Sequence, residues 1–164
     1  MNKLISKYQT PSQSLVLQNM PKPKYIKSQN AYYDPITDTI YAPDSIGEFY
    51  THELFHARPD TNLIKLLKPF YENLNDQKLK EMGANLEFVK RIDPNHFYQP
   101  EELGARVEAA SKQLGKTLIT KTLLQQLREN PNKLGDNLRD LLYMYNDENL
   151  TKIFNIYNKN KKDD

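Results

Sequence analysis

The chain has 164 residues and a mass of 19.2 kDa, the size of one domain and long enough to bury roughly 70% of its unfolded surface without covalent staples. It contains no cysteine, which excludes disulfides, thiolate zinc sites, iron–sulfur clusters and a cysteine nucleophile. Its longest apolar run is five residues, Leu141 to Tyr145, far short of the roughly 20 that cross a membrane, and a net charge of +2 argues neither for nor against a nucleic-acid partner.

Charge is unevenly spread. Residues 1–33 hold five lysines and no acid, so the rest of the chain sums to −3. Residues 1–24 read as an irregular basic arm. Pro11, Pro21 and Pro23 lack a backbone donor, and Ser12, Gln13 and Ser14 add no periodicity. Leu15, Val16 and Leu17 are the one stretch of the arm suited to docking as a strand. No apolar core follows Lys3, so no secretory leader is expected.

Residues 25–43 carry the strand signal, with Tyr25, Ile26, Tyr32, Tyr33, Ile40 and Tyr41 aromatic or β-branched. Asp34-Pro35-Ile36-Thr37-Asp38 is a turn, because Asp34 bonds its own backbone and Pro35 presets φ. A hairpin is expected, with strands near 30–33 and 39–42, and Pro43 ends the second strand. Everything later reads as helix. Ser45 and Glu48 have capping-box spacing, so a helix should start at 45 or 46 and stop near Arg58, before Pro59. Thr61 caps a second helix to about Leu67, and Asp76 caps a third to about Arg91 through Gly83. Residues 92–99 form a loop. Pro100 opens a fourth helix, which Gly115 ends. Shorter helices follow near 119–129, 136–145 and 147–157, and the polar residues 158–164 form a frayed tail. The expected fold is therefore a mostly helical α+β domain over residues 25–157, with a small N-terminal hairpin or sheet edge ahead of its first long helix. There is no internal repeat and no Gly-rich phosphate loop.

The stretch that carries chemistry is Thr51-His52-Glu53-Leu54-Phe55-His56-Ala57. It contains H-E-x-x-H. On a helix of 3.6 residues per turn, His52 and His56 stand one turn apart on one face, where both imidazoles reach one small cation. Glu53 sits beside that face, within reach of a metal-bound water. Zinc suits imidazole ligands and lowers the pKa of its water to about 7, and Glu53 would take the proton. The flanking residues divide in the same way. Ile46, Tyr50, Leu54 and Ala57 form an apolar stripe for the core. Phe49, His52, Glu53 and His56 form a side for a cleft. The tyrosines around the hairpin read as packing rather than as a base-stacking platform.

The segment Tyr41-Ala42-Pro43, followed by Tyr50 to Ala57, resembles the active-site region of the H-E-x-x-H zinc metallopeptidases, the zincins. The resemblance covers residues 30–58 closely and the rest loosely. It implies that an edge strand precedes the active-site helix and binds substrate as an added strand, with contact along residues 39–42. The metzincin pattern would need Gly and His where Pro59 and Asn62 stand, so that subfamily is excluded. The gluzincin-like pattern places a Glu on a later helix, often followed three residues on by Ala. Glu102-Leu103-Gly104-Ala105 looks like that, so Glu102 is the expected third zinc ligand, ahead of Glu101. Glu108 and His96 are the remaining candidates. Small residues at Gly104, Ala105, Ala109 and Ala110 would let two helices approach. Tyr98, His96 and Arg106 lie near enough in sequence to stabilise an oxyanion.

The resulting expectation is a small zinc metallopeptidase of bacterial or phage origin, acting on a peptide or protein in the cytoplasm, with Glu53 as general base. Neither a membrane nor nucleic acid is an expected partner. The alternative is a non-catalytic protein of zincin fold built into a larger assembly such as a phage virion, for which the basic arm and helical C-terminus would serve.

Overall fold

The computed structural model describes residues 20–91, 96, 98–115, 119–131 and 134–163. Residues 1–19 of the expected arm, including Leu15 to Leu17, and most of the expected loop at 92–99 lie outside these. The fold is α+β and mostly helical, with a small sheet ahead of the helices. No helix among the described residues is long and apolar enough to cross a membrane.

The sheet has three strands, β1 (Lys24–Lys27), β2 (Tyr32–Asp34) and β3 (Thr39–Ala42), in the order β1-β3-β2. The hairpin forms as expected. β2 pairs antiparallel with β3, Tyr33 opposite Ile40, and Asp34 closes the turn by accepting from Ile36 N and Thr37 Oγ1. Residues 39–42 are nevertheless not the edge strand that the resemblance implies. β1 pairs parallel to β3 along its other side, Tyr25 opposite Ile40, so β3 is central. Its buried Thr39, Ile40 and Ala42 suit that place. The edge beside the first helix is β2.

The first helix, α1 (Glu48–Ala57), starts later than the capping box predicts. Asp44 Oδ1 accepts from Ile46 N and Gly47 N, turning the chain ahead of Gly47, which occupies the cap position without a side-chain bond. Glu48 does not fold back on Ser45. Its carboxylate leaves the helix and caps another. The apolar stripe is also split. Tyr50, Leu54 and Ala57 pack under the sheet with Ile40 and Ala42, whereas Ile46 is 88% exposed. Phe55, outside the predicted stripe, enters the larger helical core. α1 is thus sandwiched between two apolar clusters and needs apolar residues on two sides.

Seven further α-helices follow among the described residues. α2 (Thr61–Leu66) is capped by Asp60, not Thr61, through Leu63 N at 3.1 Å. The single helix expected over 76–91 is two, α3 (Asp76–Glu81) and α4 (Leu86–Arg91). Gly83 breaks it at φ +75°, where only glycine is unstrained and where a Cβ would lie 2.4 Å from Asn146. The break lets Met82 O accept from Asn146 N and Tyr143 O accept from Asn85 N, both at 2.8 Å.

α5 (Pro100–Leu114) ends at Gly115, as predicted, and is buried almost throughout. α6 (Lys121–Glu129), α7 (Asp136–Met144) and α8 (Asp147–Asp163) complete the chain. The tail expected after residue 157 is helix. Asn160, 2% exposed, donates to Asp60 Oδ2 at 2.8 Å and accepts from Asn62 at 2.7 Å, and this buried polar clasp ties the last turns of α8 to α2.

The α1–α5 contact depends on Gly104. A Cβ there would stand 2.6 Å from the Phe55 ring, inside van der Waals contact with a buried side chain. Gly104→Ala should therefore cost about 1–3 kcal/mol in denaturant unfolding, the usual cost of overpacking. That is several degrees of melting temperature for a chain of this size. An unchanged unfolding midpoint would show that α1 and α5 have slack between them.

Candidate metal centre

Packing α5 against α1 brings acids 45 to 50 residues downstream onto the histidine face. His52 and His56 stand one turn apart, with ring centroids 5.1 Å apart. Glu102, in the first turn of α5, lies between them. Its Oε2 is 3.1 Å from His52 Nε2 and its Oε1 is 2.7 Å from His56 Nε2. One ligand atom from each of the three falls within 4.8 Å of the others, the one such group among the described residues. A tetrahedral zinc with bonds near 2 Å wants its ligand atoms roughly 3.3 Å apart. Two imidazoles and one carboxylate could hold a metal ion here, and they are donor types that zinc accepts.

The outer nitrogens are also occupied. His56 Nδ1 meets Glu101 Oε1 at 2.7 Å, and His52 Nδ1 meets Asn137 Oδ1 at 2.7 Å. Both partners are acceptors, so each Nδ1 donates outward, while each Nε2 faces the Glu102 carboxylate. This second ring of contacts is what orients metal-ligating imidazoles. Glu101, the runner-up as third ligand, takes this outer role.

The electrostatics follow from burial and pairing. Burial alone would depress the imidazolium of His56, but the hydrogen bonds and charges of Glu101 and Glu102 outweigh it and hold its pKa at about 9. Burial would raise the carboxyl of Glu102, yet His52 and His56 hold it well below the usual carboxylate range. Arg106 adds a further cation, donating to Glu102 Oε2 at 2.9 Å. Its Nε lies 3.6 Å from Asp140 Oδ2.

The group opens into a cavity of about 540 Å³, and Glu53, half-buried, lines it beside His52. Ala31, Tyr32 and Tyr33 form its wall on the β2 side. Of the remaining sequence candidates, His96 lines the cavity with Nε2 3.6 Å from Glu102 Oε1. Tyr98 does not reach it, being 5% exposed in the helical core with its hydroxyl on Met144 O. Glu108 faces Lys112 and Lys161 in a separate cavity of about 250 Å³. Asn137 was not foreseeable. It lies 85 residues from His52, and no local pattern marks it.

No family model matches the chain, and no curated protein or solved structure matches it. The likeness to the zincins rests on the residues quoted for it.

Proposed function

We propose that the chain is a zinc-dependent peptidase. The observation that carries this reading is the convergence of two imidazole Nε2 atoms and one carboxylate on a single point, with both Nδ1 atoms tied back to acceptors. His52, His56 and Glu102 would hold the metal. When bound, zinc supplies a Lewis acid that lowers the pKa of a water molecule to about 7. Glu53, on the same cavity wall, would serve as general base toward such a water and as general acid toward the departing amine. The cavity leaves His96 and Arg106 near enough to bind the developing oxyanion. A peptide or protein substrate would add to the outer edge of β2, not to β3, since β3 has strands on both sides and β2 walls the cavity.

A second reading is favoured by Arg106. Its guanidinium, with a protonated His56, neutralises Glu102 without any metal, as in a non-catalytic module of the same fold that works inside an assembly. Elemental analysis of untagged protein separates the two. The peptidase reading expects about one zinc per chain, lost in His52→Ala, with hydrolysis of a mixed peptide library that chelation abolishes. Protein without zinc after reconstitution sinks that reading and leaves the ion-pair network.

A further inference from the structure

Arg58, the residue after α1, and Met20 both line the metal cavity. The guanidinium of Arg58 is held in place from within the fold. Nη1 donates to Asp38 Oδ1 at 3.0 Å and to Ala57 O at 2.8 Å, and Nη2 donates to Asp38 Oδ2 at 2.7 Å. Tyr33 Oη donates to Asp38 Oδ1 at 2.8 Å and braces the same carboxylate. Each Nη carries two hydrogens, so one remains, and Nη2 donates it to Pro21 O at 2.7 Å. That last partner is of a different kind. Pro23 is buried, but residues 20–22 ahead of it are exposed and belong to no strand or helix. Met20 is 44% exposed, and a methionine side chain is flexible and fills irregular space. Pro21 and Pro23 have no N–H to give to a strand edge. The stretch therefore meets the cavity as a bound ligand would, with one apolar side chain on the wall and the next carbonyl on a rigid donor.

We propose that Arg58 is a substrate-binding residue whose Nη2 takes a backbone carbonyl of the peptide, and that Met20–Pro21 occupies this subsite until substrate displaces it. The inference rests on the peptidase reading of the cavity. It narrows the substrate to a peptide with an apolar side chain one residue ahead of the carbonyl that meets Arg58. Ala31, Tyr33, Pro35 and Pro59 are the apolar part of the wall available to that side chain. The charge of Arg58 is already balanced by Asp38 at 2.7 Å, so the donor suits a neutral carbonyl within a chain rather than a terminal carboxylate. A donor fixed by three other bonds needs little ordering when substrate arrives. The resident stretch gives up one hydrogen bond as the substrate gains one, so it raises the substrate concentration required and leaves the chemical step alone.

The chain has no tryptophan, so Met20→Trp in full-length, metal-free protein carries a single indole as reporter of the subsite. Its emission should be blue-shifted and shielded from acrylamide. Adding Arg58→Lys, which keeps a cation for Asp38 but loses the fork that reaches a further acceptor, should shift the emission to the red and raise quenching severalfold. A solvent-like indole indifferent to Arg58→Lys would overturn the occupancy. Turnover by zinc-loaded protein, on peptides that the wild type cuts from a mixed library, tests the subsite itself. Met20→Gly should lower KM about threefold to tenfold with kcat unchanged, as for a subsite occupied about two-thirds to nine-tenths of the time. The wild type should prefer an apolar residue at one fixed position from the cut bond, and Arg58→Lys should lose that preference, read by mass spectrometry of the products. Unchanged KM in Met20→Gly with unchanged cut sites in Arg58→Lys would overturn Arg58 as a substrate-binding residue and leave the peptidase reading standing. No hydrolysis by any of these proteins would overturn that reading and the subsite with it.

Discussion

Glu53→Gln should leave about one zinc per chain and cut peptide hydrolysis by about a hundredfold to ten-thousandfold, the range expected for removal of a general base. The amide matches the carboxylate in shape and can still hydrogen-bond to water, but it cannot take a proton. Glu53 is not among the converging ligand atoms, so the metal should stay. Elemental analysis and a turnover assay on the same preparation decide the matter. A variant that keeps its zinc and full activity would remove Glu53 from the mechanism. One that loses its zinc would mean that Glu53 supports the site itself.

Glu102→Ala should abolish stoichiometric zinc and also destabilise the metal-free protein by about 1–3 kcal/mol, since the buried Arg106 loses one of its carboxylate contacts and keeps Asp140. Glu102 is 4% exposed and Arg106 6%, so water does little to replace the lost carboxylate. The pH dependence has a definite sign. The pKa of His56 is raised to about 9, so its contribution to the metal-free fold is full below the ordinary imidazole value of about 6.5 and is lost as pH rises through about 9. The pKa of Glu102 is lowered, so its contribution is present above the ordinary carboxylate range and is lost as pH falls through its folded value. Metal-free wild type should therefore lose stability on going from about pH 7 to pH 10. The loss should be smaller in Glu102→Ala, where Glu101 alone faces His56. Chemical denaturation of chelated protein at several pH values measures both effects. Equal slopes in the two proteins would show that the Glu102–His56 contact contributes nothing to folding.

The site was partly legible because its parts obey local rules. H-E-x-x-H on a helix puts two imidazoles on one face whatever the rest of the fold does, and Pro100 followed by two acids marks the start of another helix. Glu102 could be named because small residues follow it and the resemblance points there. Other local rules failed where distant partners outbid them. Glu48 has capping-box spacing with Ser45, yet its carboxylate gains two backbone donors and the Asn137 amide at the start of α7. Asp76 to Arg91 has helical character throughout, yet Gly83 and the backbone pairing with Tyr143 and Asn146 divide it. Residues 158–163 are polar, yet the buried clasp of Asn160 keeps them helical.

What the sequence determined by itself was the class of fold and the helix that carries the paired histidines. Composition excluded thiolate chemistry, and helical periodicity placed His52, Glu53 and His56 together, because contacts one turn apart need no tertiary structure. Tertiary structure decided the centrality of β3, since strand order depends on where β1 docks. It also decided that Glu102 lies between the two imidazoles while Glu101 meets only His56 Nδ1, since both sit in one helical turn and only the approach of α5 to α1, close enough to exclude a Cβ at Gly104, sets how each acid meets the histidines. The partners of the outer imidazole nitrogens were settled in the same way. A hydrogen bond spanning 85 residues leaves no spacing to read, and only packing α7 against the site brings Asn137 to His52.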